Sequence, residues 1–210
     1  MQGPILHILQ DPRLGLDIEA SLVVSRIEQY LQLLLKWNQK INLTAEKDPA
    51  EILKKHVFDS LQYVRAIEPG FRMMDIGSGA GFPGILLKII FPQLQLVLLE
   101  SQRKRCSFLE TVVRDLAMEQ VKVFNARAED IPGDQAGPFD VVVFRAVSGV
   151  QQCLNLSTKF LPSGGMVVLK KSPGENQLGS HPEFSLQKEV AITSYHGVVS
   201  SLLVFEKCFT

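Results

Sequence analysis

The sequence predicts an α/β fold in which a mainly parallel sheet is covered by helices and preceded by a helical region. Between residues 71 and 169, short apolar runs alternate with helix-like segments, a pattern typical of parallel sheets with helices on both faces. Residues 1–68 instead show apolar side chains at helical spacing. The last two apolar runs have no helix between them, which predicts an antiparallel pair at one edge of the sheet.

The helical region is predicted to hold two main helices. Apolar side chains recur at helical spacing from Ser21 to Trp37. Asp48-Pro49 resembles a helix start and predicts a second helix from Pro49 to Ile67. We predict a helical cap at residues 1–68 and an α/β domain at residues 69–210, with a shared core.

The α/β domain is predicted to contain seven strands and three helices. The predicted strands are Phe71 to Ile76, Leu94 to Leu99, Val121 to Phe124, Phe139 to Phe144, Met166 to Leu169, Val190 to Tyr195 and Leu202 to Phe209. The predicted helices are Gly84 to Phe91, a segment capped by Ser101 that reaches Leu116, and Val150 to Phe160.

Composition narrows the class of protein. The 22 basic and 22 acidic residues give zero net charge, so the basic excess usual in nucleic-acid binders is absent, although a local basic patch would suffice. The three cysteines and four histidines are widely scattered, which favours reduced thiols and no metal site. Without a signal-peptide pattern or a bilayer-length apolar run, we predict a cytoplasmic protein with no membrane partner.

The glycine-rich stretch from Asp75 to Gly84 is the most informative part of the sequence. It reads Asp-Ile-Gly-Ser-Gly-Ala-Gly-Phe-Pro-Gly and lies between a predicted strand and a predicted helix. Glycine permits positive φ angles and close approach of a ligand. The helix that follows offers free N–H groups. Such a turn, at the carboxyl end of a strand, predicts a nucleotide-like cofactor.

Two cofactors fit the glycine spacing. Gly79, Gly81 and Gly84 match the dinucleotide pattern G-x-G-x-x-G, whereas Gly77, Gly79 and Gly81 match the G-x-G-x-G of methyltransferases. Asp75 favours S-adenosylmethionine, because a carboxylate repels a pyrophosphate and attracts the ammonium and sulfonium of that cofactor. Glu100 ends the next strand and could accept both ribose hydroxyls of either cofactor.

Further segments resemble the RsmG family, also called GidB. The resemblance rests on the 75–84 motif with its Phe-Pro-Gly end, and on several shorter motifs spread over most of the chain. These are Trp37-Asn38 with Asn42-Leu43-Thr44, His56 with Asp59-Ser60, Leu99-Glu100-Ser101, Arg127-Ala128-Glu129, Phe139-Asp140 with Arg145-Ala146, and Gly164-Gly165 with Leu169-Lys170.

The resemblance implies a Rossmann-like class I methyltransferase that methylates guanine N7 in the 530 loop of bacterial 16S ribosomal RNA. RNA in a small ribosomal subunit or its precursor would be the partner, and no DNA is expected. Gly77, Gly79 and Phe82 would line the cofactor site, Glu100 would hold the ribose, and Ala128 and Glu129 would flank the adenine. Arg145 would lie at the mouth of the site, near cofactor and substrate.

Methyl transfer to guanine N7 needs no general base, because N7 carries a free lone pair at neutral pH. Catalysis would then depend on holding N7 in line with the methyl group. We assign this role to Arg145, through its planar guanidinium. Lys170, at the carboxyl end of a strand, is a candidate substrate contact. We expect a structural role for His56.

Three other functions remain open from the sequence. A methyltransferase could act on a small molecule or a protein, which the neutral net charge favours. The overlapping glycine pattern also allows a nicotinamide-dependent oxidoreductase. The third possibility is a protein that binds the cofactor as a regulatory ligand and catalyses no reaction.

Overall fold

The computed structural model describes residues 1–132, 137–145, 149–171 and 180–208. Its α-helices are α1 (Gln2–Leu9), α2 (Ala20–Asn38), α3 (Pro49–Ile52), α4 (Phe58–Leu61), α5 (Gly84–Ile90), α6 (Arg103–Asp115) and α7 (Val150–Ser157). A π-helix (Leu53–Val57) joins α3 to α4, and 3-10 helices cover Gln62–Arg65, Ala128–Asp130 and Thr158–Phe160. The strands are β1 (Arg72–Ile76), β2 (Gln95–Glu100), β3 (Val121–Asn125), β4 (Val141–Phe144), β5 (Met166–Lys171), β6 (Phe184–Thr193) and β7 (Val199–Lys207).

The strands form one sheet in the order β3-β2-β1-β4-β5-β7-β6. β1 to β5 pair in parallel, and β7 runs antiparallel to both β5 and β6. The predicted mainly parallel sheet with an antiparallel pair at its edge is therefore confirmed. The strand order reverses beside β1, whose neighbours are β2 and β4. Ligands bind at such a switch point in open α/β sheets, outside the carboxyl ends of the strands.

Helices cover both faces of the sheet, and strand side chains alternate between two buried clusters. In β1, Met73 packs with the cluster that contains α1, α2, α5 and α6, whereas Met74 packs with the cluster that contains α7. In β4, Val141 packs with the first of these clusters and Val142 with the second. Strands that are buried on both faces consist of continuous apolar residues, which is why the central strands could be predicted from the sequence.

Several predicted boundaries differ from the structure by a few residues, and two of the differences have a clear cause. The strand expected at Val190 to Tyr195 covers Phe184–Thr193, because most side chains in its first half are exposed and form no apolar run. Ser101 does not cap α6, since the helix begins after Gln102 and the Glu100 carboxylate accepts the Gln102 N–H. The predicted end of the last strand, Phe209, lies outside the described residues.

The helical region joins the sheet through buried contacts. The Tyr30 hydroxyl donates to the Ala80 carbonyl at 2.6 Å, and the Tyr63 hydroxyl donates to the Phe144 carbonyl at 2.7 Å. Side chains of both regions belong to one buried cluster. The domain boundary at residue 68 stays a prediction. Within the described ranges, no helix has the length and apolar character needed to cross a membrane.

Lys88 of α5 is only 4% exposed, and its ammonium donates to the carbonyls of Pro92 and Leu94 at 2.7 and 2.6 Å. Lys88→Met keeps the length of the side chain but leaves two carbonyls without this donor. We expect the free energy of unfolding, measured in urea, to fall by about 1–3 kcal/mol. The matched variant Lys122→Met removes an exposed lysine and should change it by less than about 0.5 kcal/mol. Equal stability of the two variants would contradict this role for Lys88.

Candidate active site

The glycine-rich turn is tied to the end of the neighbouring strand. The N–H groups of Gly77 and Ser78 both donate to the Leu99 carbonyl, at 2.8 and 3.1 Å. Gly77, Gly79 and Gly81 have φ angles of +75°, +56° and +91°, a region that favours glycine. The turn therefore depends on glycine at these positions, as the sequence pattern indicates.

Asp75 is fully buried at the end of β1, where its Oδ2 accepts the Gly84 N–H at 2.9 Å. Burial raises the pKa of its carboxyl to about 7, although the Gly84 N–H and the charge of Arg145 act in the opposite direction. Its Oδ1 atom has no hydrogen-bond partner among the described residues. A cation brought close to this carboxyl would lower its pKa and favour the charged form.

The close packing of Gly84 against Asp75 gives a stability prediction. A Cβ at position 84 would lie 2.7 Å from Asp75 Oδ2 and 2.8 Å from Leu98 Cδ2. We expect Gly84→Ala to lower the free energy of unfolding by about 1–3 kcal/mol and to weaken cofactor binding. Gly70→Ala is the matched control, because a Cβ there meets no atom within 4 Å. Chemical denaturation and calorimetric titration would measure both effects, and a Gly84→Ala protein as stable as the control would refute the clash.

Glu100 fixes the turn from the end of β2. Its Oε2 accepts the Gly79 N–H at 3.0 Å, and its Oε1 accepts the Gln102 N–H at 2.8 Å. Arg105 Nη1 lies 3.8 Å from Glu100 Oε2, and the Glu100 side chain is 5% exposed. Since each carboxylate oxygen has more than one acceptor site, Glu100 can still accept hydroxyl groups of a ligand.

Two cavities meet at Gly77. The first, here the β3 cavity, has a volume of about 220 Å³ and is lined by Ile76, Gly77, residues 99–101, residues 126–129 and Leu156. The second, here the cap cavity, has a volume of about 300 Å³ and is lined by residues 43–46, His56, residues 77–80, Phe82, Arg105 and Arg145. Together they fall in the size range of small-molecule sites.

Arg145 follows β4 and forms part of the wall of the cap cavity. Its guanidinium lies 5.0 Å from the ring centre of Phe82, a cation–π geometry. The His56 ring stacks on Phe82 at 5.1 Å with an interplanar angle of 20°. Phe82 is 4% exposed, so it supports these two side chains in addition to lining the cavity.

The loop after α2 lies on the other side of the cap cavity. Asn38 organises it, because its Oδ1 accepts the N–H groups of Leu43 and Thr44 and its Nδ2 donates to the Glu46 carbonyl. The side chains of Thr44 and Glu46 contact His56. Hydrogen bonds from Lys55 and His56 lower the pKa of the Glu46 carboxyl to about 2.

Lys170 is paired with the cap. Its ammonium lies 2.5 Å from Asp59 Oδ2, and the two side chains are 22% and 15% exposed. Lys170 is not among the residues that line the two cavities above. Its predicted contact with the substrate therefore stays a prediction.

The residues of the two cavities fit S-adenosylmethionine. Asp75 lies behind the turn and in neither lining; one of its oxygens has no partner among the described residues, and a nearby cationic ligand would favour its charged form. Glu100 and the exposed Glu129 offer acidic groups along the β3 cavity. Among the described residues, no group of His, Cys, Asp and Glu side chains could hold a metal ion.

Comparisons with known structures agree with this fold. Cofactor-bound Rv0187 from MTB superposes with a TM-score of 0.60 at 16% identity, over 89% of this chain and 91% of that one. TrmN from Thermus thermophilus superposes with a TM-score of 0.52 at 21% identity, over 71% of this chain and 47% of that one. The sheet order and the glycine turn at its switch point are those of a class I S-adenosylmethionine-dependent methyltransferase.

Sequence comparison defines the family. The profile of GidB, described as rRNA small subunit methyltransferase G, matches residues 23–202. A ribosomal RNA small subunit methyltransferase G from Streptococcus pyogenes is 42% identical over 164 residues, 75% of this chain and 69% of the relative. A second from that species is 42% identical over 158 residues, 72% of this chain and 66% of the relative. The chain belongs to the GidB family, and it spans about two thirds of the length of these relatives.

The structure brings most of the predicted site residues to one edge of the sheet. Gly77, Gly79 and Phe82 line the cap cavity with Arg145. Gly77 also lines the β3 cavity, together with Glu100, Ala128 and Glu129. Asp75 lies in neither lining and contacts the turn through Gly84.

Sequence reasoning missed three features of the cap cavity. His56 lines the cavity and its Nδ1 atom lies 3.1 Å from Arg145 Nη2, which the sequence did not indicate; its expected structural role stays a prediction. Neither Arg105 nor Glu46 was among the predicted site residues, and both line this cavity. The first two lie in motifs or charged runs that the sequence displays, but only the fold shows which side chains meet.

Proposed function

We propose that this protein transfers a methyl group from S-adenosylmethionine to N7 of a guanine in 16S ribosomal RNA. The observation that carries the proposal is an arginine-walled cavity beside the glycine turn, in a chain 42% identical to relatives named for methylation of small-subunit ribosomal RNA. The substrate would be presented in a small ribosomal subunit or its precursor, in the cytoplasm.

The cofactor would occupy both cavities. Glu100 would accept the ribose hydroxyls, and Ala128 and Glu129 would flank the adenine. Gly77 and Gly79 would let the backbone approach the cofactor closely. Asp75 would support the turn through Gly84 and favour the positive charge of the cofactor. The cofactor itself supplies an electrophilic methyl group.

Guanine N7 would enter the cap cavity and attack that methyl group directly. Because the lone pair of N7 is free, no side chain has to remove a proton. The protein contributes by holding the base in line and by excluding water, and position alone can supply a large part of the rate enhancement. The target base would have to be turned out of any stacked structure to reach the cavity.

Arg145 would orient the base or a neighbouring phosphate at the mouth of the cavity. A guanidinium presents several N–H donors in one plane, which suits the O6 edge of guanine and a phosphate equally. Lys170 would contact the RNA from the neighbouring strand end. Because it is paired with Asp59, this contact would replace or share that ion pair.

Mapping of 7-methylguanosine in small-subunit RNA tests the proposal. A strain without this gene should lack one 7-methylguanosine that the parent strain contains, and the gene should restore it. In vitro, labelled S-adenosylmethionine should transfer its methyl group to naked 16S RNA or to small subunits from the deletion strain. Identical RNA in both strains, or transfer only to a small molecule or a protein, would refute the proposal.

Cofactor titration tests whether this protein is a nicotinamide-dependent oxidoreductase instead of a methyltransferase. Calorimetry should detect binding of S-adenosylmethionine and S-adenosylhomocysteine and much weaker binding of NAD. The turn would disfavour the dinucleotide to the extent that the buried Asp75 carboxyl, whose pKa is about 7, is charged and repels a pyrophosphate. Tight NAD binding without S-adenosylmethionine binding would reverse the assignment.

A further inference from the structure

His56 and Arg145 share a hydrogen bond whose direction is fixed by chemistry. Arg145 Nη2 lies 3.1 Å from His56 Nδ1. A guanidinium is a donor only and stays charged in proteins, so Nδ1 must accept and carry no proton. The ring proton of neutral His56 is then on Nε2, which lies 2.8 Å from Thr44 Oγ1 and 3.1 Å from Glu46 Oε2.

Phe82 supports both members of this pair. The His56 ring lies against it in a stacked geometry, and the Arg145 guanidinium lies over it. Tyr30 meets the same ring edge-on at 5.7 Å. Arg145 is thus held by an aromatic ring and by the Nδ1 acceptor, and no carboxylate of the described residues forms an ion pair with it.

The local backbone at His56 is unusual. A single π-helical turn, Leu53–Val57, interrupts the α-helical hydrogen bonding between α3 and α4. Such turns are rare and occur frequently at functional sites. Here the π-turn contains the histidine that reaches across to the end of β4.

We propose that His56 is a positioning residue for methyl transfer, which acts by holding Arg145 through its unprotonated Nδ1 atom. This inference rests on the proposed function, because it assumes that Arg145 contacts the substrate. Thr44 and Glu46 keep the ring in the required tautomer by accepting hydrogen bonds from the Nε2–H group.

The surroundings of His56 keep the ring neutral. Burial and the charge of Arg145 lower its pKa, whereas Glu46 and Asp59 raise it, and the net change is downward. Among the described residues, the charged groups that act on its pKa are Glu46 from the loop after α2, Arg145 from the end of β4 and Asp59 from α4, and Arg105 of α6 lines the same cavity. Lys55 and Lys170 in turn pair with Glu46 and Asp59. Below this lowered pKa, Nδ1 becomes a donor and can no longer accept from Arg145.

Two substitutions separate positioning from packing. His56→Leu removes the acceptor and should lower kcat by about 10- to 100-fold, the scale expected for a misplaced substrate-orienting group. His56→Asn places an amide oxygen near the Nδ1 position without a titrating group, and should recover most of kcat. His196→Asn removes an exposed histidine that does not line the cavity and should leave kcat unchanged.

The pH profile gives a readout that a packing role would not change. Below about pH 6.5, the ordinary histidine pKa, kcat of the wild-type protein should fall towards acid as His56 is protonated. The same fall should appear in His196→Asn and be absent in His56→Asn. Independently of activity, nitrogen NMR of the histidine rings should show His56 Nδ1 unprotonated at neutral pH, in the protein without RNA.

The outcomes distinguish this inference from the proposed function. A protonated Nδ1, an unchanged kcat in His56→Leu, or a pH profile below about pH 6.5 that His56→Asn shares with the wild-type protein would each overturn the role of His56. The Asp75 carboxyl, with a pKa of about 7, is the same in both proteins. If Arg145→Ala lost activity in the same experiments, the proposed function would stand. The NMR measurement needs no variant, and together with the pH profile of His56→Asn it tests the inference even if the His56→Leu protein misfolds.

Discussion

Arg145→Ala should reduce methyl transfer to small-subunit RNA by at least about 100-fold, because the base would lose the group that orients it. The fold should persist, since the Arg145 side chain is half-buried at the cavity wall and the neighbouring Tyr63 bond uses a backbone carbonyl of β4. Labelled-methyl incorporation under single-turnover conditions would measure the effect. The affinity for S-adenosylmethionine should fall far less than kcat.

Two further variants make the Arg145 prediction specific. Arg145→Lys keeps the positive charge but loses the planar guanidinium, so only partial recovery is expected. Arg114→Ala removes an arginine that is 72% exposed and paired with Asp115 on α6, and it should behave like the wild-type protein. Full turnover in Arg145→Ala would remove the arginine from the mechanism.

Glu100→Ala should weaken S-adenosylmethionine binding by about 10- to 100-fold, which corresponds to the loss of a charged hydrogen bond worth about 1.5–3 kcal/mol. Two effects combine in this variant. The ribose loses its acceptor, and the Gly79 and Gln102 N–H groups lose the carboxylate that orders the turn. Calorimetric titration would give the dissociation constant directly.

Glu100→Gln separates these two effects. The amide keeps one acceptor oxygen for the turn but carries no charge, so its affinity should lie between those of the wild-type protein and Glu100→Ala. Glu110→Ala is the matched control, because Glu110 is exposed on α6 and lies in neither cavity lining. An unchanged dissociation constant for Glu100→Ala would show that the cofactor does not use the end of β2.

The cofactor half of the site could be predicted because its signals are local. The glycine turn lies within a few residues of the end of β1 and the start of α5. Glu100 follows it in the chain after one helix and one strand, at the end of β2. The pattern Gly77, Gly79 and Gly81 corresponds to three positive φ angles. The central strands could be predicted for a similar reason, since strands buried on both faces are continuously apolar.

The substrate half could be predicted only in part. Arg145 was assigned from a motif, but its contacts with Phe82 and His56 join segments far apart in the chain. The π-turn around His56 has no signature in the local propensities, because apolar and basic residues there read as an ordinary amphipathic helix. The exposed first half of β6 was missed for a related reason, since an outer strand need not be apolar.

By itself, the sequence determined the family, the order of strands and helices, and the glycine turn with its flanking acids. These features depend on backbone conformation and burial, which short-range residue patterns encode directly. Only the tertiary structure decided that Asp75 supports the turn from the interior, that Lys170 pairs with Asp59, and that His56 meets Arg145. Such contacts depend on where distant side chains come to lie once the sheet and cap have packed, and residue spacing carries no record of that.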